Sequence, residues 1–286
     1  MNHILKAGLD FIIYSSFLIS AGAAVLTLEI YYTSGIDIYW PYIAFVFFST
    51  FLIYSLHRVI GIKRIDPENI SGRFEIILKY RHHLKIYAFI SSVACFFIFF
   101  KYFDLSSWIY FLPASLIAVP YVLPLAGQMR LRDVNFIKIF LIAFTWAYVC
   151  VALPLFIHDA STLTIDWNAF LEKACFIFAI TLPFDIRDAK IDRIENVKTL
   201  ARSLGVNKAY ILSYVLCAAS IIFLGNTMFN FSCFADWNLM VAILTYLPVL
   251  ILIGISKNKT SDYYYSGLLD GSILIRAGIL IFFIPQ

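Results

Sequence analysis

The sequence predicts an all-α fold, a polytopic membrane helix bundle of about nine transmembrane helices. Three observations predict it. Of the 286 residues, 62% are hydrophobic and only 14% charged, with a mean hydropathy of +0.84, whereas soluble domains carry about 25% charged residues. Apolar runs long enough to span a bilayer tile the whole chain. Finally, 19 of the 22 Lys and Arg residues fall in alternate connections between those runs, the asymmetry that the positive-inside rule describes. No linker rich in Pro, Gly or Ser divides the chain, so residues 1–286 read as one domain. The net charge of +4 is dispersed between apolar runs, which argues against a nucleic-acid partner.

A helix needs roughly 20 apolar residues to cross the hydrocarbon core. The runs lie near 9–30, 38–57, 84–103, 106–126, 136–157, 167–184, 208–226, 237–255 and 263–284. The first, in "MNHILKAGLDFIIYSSFLISAGAAVL", has the outline of a signal peptide, but further spans follow it and it reads as the first membrane helix. Lys6 precedes that span. Seven bases from Arg58 to Lys85 follow the second, Arg130, Arg132 and Lys138 separate the fourth from the fifth, six bases from Arg187 to Lys208 follow the sixth, and Lys257 and Lys259 precede the ninth. That basic side is expected to be cytoplasmic, with the N-terminus inside and, after an odd number of spans, the C-terminus outside. The expected location is a bacterial cytoplasmic membrane, since nothing resembles an Arg- and Ser-rich transit peptide. Both long connections, 58–85 and 185–207, lie on the basic side and read as a cap over one face of the bundle. Of five cysteines, four sit inside apolar runs and none forms a C-x-x-C pair, so neither a disulfide framework nor a zinc site is expected.

The chemistry concentrates in "FDIRDAKIDRIENVKTLARSLG", which begins at Phe184 where the sixth span ends. At about 100° per residue, Asp185, Asp188 and Asp192 fall on one helical stripe, with Arg187 and Lys190 pointing elsewhere. Like charges on one stripe repel, and a divalent cation gives a reason to keep them together: Mg²⁺ takes one or two carboxylates and completes its shell with water and phosphate oxygens. Pro183, just before the cluster, is expected to kink the helix and free backbone groups. A solvated helix with salt-bridged mixed charges would carry the same residues without any metal.

The stretch resembles the second aspartate-rich motif of the UbiA superfamily of intramembrane prenyltransferases, in which a helix end carries D-x-x-D-x-x-x-D, an arginine, and a Thr-Leu pair before a run ending in Leu-Gly. Asp185, Asp188, Asp192, Arg193, Thr199, Leu200, Leu204 and Gly205 stand in those places. The span count and the motif's position after the sixth helix agree with the family. Its first motif, N-D-x-x-D-x-x-x-D, should close the second helix. Here that place reads "FLIYSLHRVIGIKRID", with His57-Arg58 where the family has Asp-Arg, Tyr54 in place of an acid and Gly61 at the last aspartate. The resemblance implies a Mg²⁺-dependent enzyme that moves a prenyl group from a prenyl diphosphate to an aromatic or other lipophilic acceptor among membrane lipids. Asp185, Asp188 and Asp192 would hold the metal. Arg58, Arg130, Arg132, Lys198, His57 and Tyr121 would face the diphosphate, with Arg58 standing in for one metal ion as a fixed positive charge. The missing first motif leaves a non-catalytic homologue that binds lipid or diphosphate as the alternative, and a small transporter as a third reading.

Outside the motif, Asp270 lies about a third of the way into the ninth span, and an intramembrane acid normally faces the bundle interior. Arg276 lies on a different face from it, so its partner is expected on another helix. Glu29 and the Glu172-Lys173 pair, near run ends, read as interfacial.

Overall fold

The computed structural model describes residues 3–62, 73–124, 129–158, 165–194, 197–230 and 238–284. Every regular element among them is helical. In lipid this is the expected outcome, because a helix satisfies its backbone hydrogen bonds within one segment. Among the described residues, eight helical segments are long and apolar enough to cross a membrane, and the molecule is an integral membrane protein.

The first predicted span is two elements. Helix α1 (His3–Tyr14) ends at Ser15-Ser16, and α2 (Phe17–Ser34) starts afresh after Ser16 adopts φ 72°. Serine side chains cause the break: the Phe17 amide donates to Ser15 Oγ at 3.2 Å and the Ser20 hydroxyl to the Ser16 carbonyl at 2.8 Å, so local bonds compete with the helical ladder. Helix α3 (Trp40–Ile62) is followed by the short α4 (Arg73–Lys79), then α5 (Arg81–Tyr102) and α6 (Trp108–Val122). Helix α7 (Ile137–Ala147) passes through a π-helical turn at Tyr148–Ala152 into α8 (Leu153–His158). The wider turn exposes the Val149 carbonyl, which accepts the Tyr42 hydroxyl at 2.5 Å.

The sixth predicted span belongs to α9 (Trp167–Ile194), 28 residues long, which continues ten residues past its predicted end and takes the acidic stripe with it. Pro183 lies within this helix without ending it. Proline removes the amide that would bond the carbonyl four residues back. That carbonyl, of Ala179, accepts the Ser213 hydroxyl of the neighbouring helix at 2.6 Å, so the freed group is satisfied by packing and does not serve a cavity. The short α10 (Leu200–Leu204) explains the motif's tail: Thr199 Oγ1 caps its start by accepting the Arg202 amide, and Gly205, at φ 80°, turns the chain into α11 (Val206–Asn230). Helix α12 (Asn238–Ser256) follows, and a π-helical segment Tyr263–Leu269 leads into α13 (Asp270–Phe283).

The helices close a ring: α2 packs on α3, then α6, α7, α9, α11, α12 and α13 follow in turn, and α13 returns to α2. Helix α5 lies outside on α3, exposing Phe89, Phe96, Phe97 and Phe100 as a surface suited to lipid. Cys95, Cys150, Cys175 and Cys217 are free thiols, while Cys233 lies outside the described residues.

The residues expected at an interface, Glu29, Glu172 and Lys173, are buried among the helices, and Arg276 joins them from another helix as expected. Glu29 on α2, Glu172 and Lys173 on α9, and Arg276 on α13 are each no more than 1% exposed. Arg276 bonds Glu29 (2.5 and 3.1 Å) and Glu172 (2.5 Å), Lys173 bonds Glu29 at 2.8 Å and also Glu172, and the Tyr246 hydroxyl of α12 donates to Glu172. Two acids and two bases thus neutralise one another and pin four helices, as buried charge in lipid requires.

Candidate active site

A cavity of about 720 Å³ is lined by α2, α3, α5, α6, α7, α9 and the last span, among others. Its mouth is charged and its depth apolar. The described residues at the mouth include Arg58, Arg132, Lys138 and Arg187 among the cations, and Asp185, Asp188 and Asp262 among the acids. Its inner wall is built from residues such as Ile53, Phe45, Leu112, Ile142, Ile177 and Ile180. This is the layout of a site for a molecule with an anionic head and an apolar tail.

The mouth is assembled from four directions. The α9 stripe supplies Asp185, which accepts Lys138 Nζ of α7 at 2.8 Å, and Asp188, which accepts two bonds from Arg187 at 2.8 and 3.2 Å. Arg187 does not point away from the stripe. Its long side chain turns back, bonds Asp262 at 2.9 Å and lies over the Tyr265 ring at 4.6 Å, so one guanidinium joins α9 to the start of the last span. On α3, Arg58 donates to the carbonyls of Ile13 and Tyr14 at 3.2 and 2.9 Å, capping the C-terminus of α1 beside the cavity. His57, a residue before it, meets Arg132, whose Nη1 lies 3.0 Å from Nδ1 and 2.5 Å from Nε2. The same guanidinium sits over the Tyr121 ring at 5.6 Å.

Of the nine residues expected at the site, Asp185, Asp188, His57, Arg58, Arg132 and Tyr121 line this one cavity. Arg130 and Lys198 are not among its lining residues. Arg130 is buried against Asp133 at 2.8 Å and braces the short 3₁₀ turn Leu131–Asp133 that carries Arg132. Lys198 is exposed; its main chain does the work, with its amide donating to Asn135 Oδ1 at 2.7 Å and its carbonyl accepting the Phe136 amide at 2.8 Å, which ties the two polar connections together. The side chain of Asp192 lies outside the described residues, as do Lys190 and the acids Asp66 and Glu68. Among the described residues no three His, Cys, Asp or Glu side chains form a metal cluster. Asp185 and Asp188 nevertheless suit Mg²⁺, which asks for one or two carboxylates and phosphate oxygens.

Lys138, Asp262 and Tyr14, which also line the cavity, were not among the residues expected at the site. The signal for Asp262 was present: it is an acid at the basic end of the last span.

No family model matches the sequence, and no curated protein sequence matches it. Solved structures do. A UbiA homologue from Aeropyrum pernix K1 superposes with a TM-score of 0.67 at 12% identity, over 93% of this chain and 98% of the other. The chain has the UbiA fold. A digeranylgeranylglyceryl phosphate synthase matches with a TM-score of 0.54 at 16% identity (98% and 96% covered), and a UbiA homologue from Archaeoglobus fulgidus, bound to Cd²⁺, with 0.53 at 12% (94% and 99%). Within the UbiA fold, this chain has Tyr54, His57 and Arg58 towards the C-terminal end of α3, and all three line the cavity.

Proposed function

We propose that the protein is a divergent member of the UbiA superfamily that transfers a prenyl group from a prenyl diphosphate to a lipophilic acceptor within the membrane. The observation that carries this reading is the cavity, whose charged mouth opens onto an apolar interior of about 720 Å³. That the structural neighbours include a digeranylgeranylglyceryl phosphate synthase and a Cd²⁺-bound homologue supports both prenyl chemistry in membranes and a divalent cation at the site.

Arg132, Lys138 and Arg58 bind the diphosphate and hold its negative charge as the allylic C–O bond lengthens. Asp185 and Asp188, with Asp192, are the residues that would hold Mg²⁺; bound there, the ion supplies further charge neutralisation for the leaving group. The tail lies against the apolar wall, which excludes water from the allylic carbon. Arg58, a fixed cation, takes over the side of the mouth where the first motif would bring a second metal site.

The test uses purified protein, Mg²⁺, radiolabelled prenyl diphosphates of several chain lengths and a membrane-lipid extract. Label is expected in a lipid product and to depend on Mg²⁺. The absence of both transfer and metal-dependent diphosphate binding would overturn the reading; binding without transfer would favour the non-catalytic homologue, to which the absent first motif points.

A further inference from the structure

Transfer of a prenyl group to an acceptor A–H yields A–prenyl, diphosphate and a proton, so a base must stand where the new bond forms. The mouth carboxylates are already engaged: Asp185 by Lys138, Asp188 by Arg187, and Asp262 by Arg187. Asp270 differs from them. It lines the same cavity, eight residues further along the last span than Asp262, which is on the order of 10 Å deeper by helical rise. None of the direct hydrogen bonds or ion pairs of the described residues engages it; Arg58 of α3 and Arg187 of α9 act on it only through their fields, and Tyr54 of α3 feels its charge in turn.

Two features show that this level is special. Tyr54 stands about one turn below His57 and Arg58 on α3, and Ile273 begins the apolar wall about one turn beyond Asp270 on α13, so Asp270 marks the boundary between charged mouth and apolar depth. The segment Tyr263–Leu269, ending at Asp270, is π-helical. A π turn accommodates an extra residue and rotates all that follows, at a cost in hydrogen-bond geometry, and such turns gather at functional sites. Here the rotation decides which residue of the last span opens on the cavity. A prenyl diphosphate with its head on the mouth cations and its tail along the wall places its allylic carbon at this boundary.

Resting on the prenyl-transfer reading above, we propose that the Asp270 carboxylate is the general base that takes the proton from the acceptor. The allylic C–O bond breaks with its electron pair leaving on the diphosphate, the acceptor's nucleophilic atom bonds to the allylic carbon, and the proton on that atom passes to a carboxylate oxygen of Asp270, then to water at the mouth. The acceptor is therefore a neutral lipophile whose nucleophilic atom carries a proton, an aromatic ring carbon or a hydroxyl, and not a carboxylate or a phosphate.

The experiment follows two products of one radiolabelled prenyl diphosphate, released inorganic diphosphate and labelled lipid, in wild type and Asp270→Asn. A base of this kind contributes about 10²–10⁴-fold. Asp270→Asn is therefore expected to bind the prenyl diphosphate within twofold of wild type and to keep releasing diphosphate, with the label diverted to prenyl alcohol, while labelled lipid falls at least about 100-fold. Asp270→Glu is expected to recover part of the transfer. Labelled lipid at a tenth of the wild-type rate or more in Asp270→Asn would overturn the proposal, as would loss of prenyl diphosphate binding in a folded Asp270→Asn. If Asp270→Asn does not fold, the same product ratio is read in Asp270→Ser and Asp270→Glu, and an unchanged ratio in Asp270→Ser refutes the base. Failure of the prenyl-transfer reading looks different, because wild type itself would then release no diphosphate.

Discussion

Replacing Arg276 with methionine tests whether the buried charge cluster holds the bundle together. The guanidinium makes contacts of 2.5 and 3.1 Å to Glu29 and 2.5 Å to Glu172, with no exposure of its side chain. Methionine keeps an apolar stem beside the Phe176 and Tyr246 rings, over which the guanidinium lies at 5.1 Å. It leaves Lys173 as the single cation facing two carboxylates in the interior. The cheapest relief is for one carboxylate to bind a proton, and protonating an ordinary glutamate at pH 7 costs about 4 kcal/mol. That agrees with the roughly 3–5 kcal/mol found when one partner of a buried ion pair is removed. Unfolding in detergent micelles, by denaturant or by heat, measures the loss. Adding Glu172→Gln to Arg276→Met rebalances the charge and is expected to return at least half of it. A single variant that costs under about 1 kcal/mol, the scale of an exposed pair, would refute the reasoning.

Asp188→Ala and Asp192→Ala are each expected to abolish Mg²⁺-dependent binding of a prenyl diphosphate, measured by filter binding with and without the ion, while Glu68→Ala leaves it intact. Arg58→Leu removes two bonds to the last carbonyls of α1, each worth about 1.5–3 kcal/mol for a charged donor. Hydrogen exchange should therefore rise across residues 3–14 and not in α11. Gly22→Leu should cost about 1–3 kcal/mol by overpacking, because a Cβ there already meets Ile273 Cγ2 at 3.2 Å and brings α2 against α13; the unfolding midpoint reads it.

The spans were legible because lipid selects on composition over a long window. The same averaging hid the break at Ser15-Ser16, where two residues that bond their own backbone vanish into an apolar run. Asp185 and Asp188 were legible as neighbours because residues three apart share a helical face. Their partners were not. Lys138 stands 47 positions from Asp185, and Asp262 stands 75 from the Arg187 that bridges it to Asp188. Glu29, Glu172 and Lys173 were read as interfacial and are buried among helices, since proximity to the end of a run says nothing about which helices close over it.

By itself the sequence determined an all-α membrane protein and an acidic stripe at the end of one helix. These are local properties, set by side-chain hydropathy and by a backbone that bonds four residues back. Tertiary structure alone decided which cation meets which acid, that Arg130 braces a turn and Arg132 faces the cavity, and that Asp270 opens on the boundary between the charged and apolar halves of the site. Those outcomes depend on helices distant in sequence packing into one ring, where contact is fixed by the rotation of each helix against its neighbours.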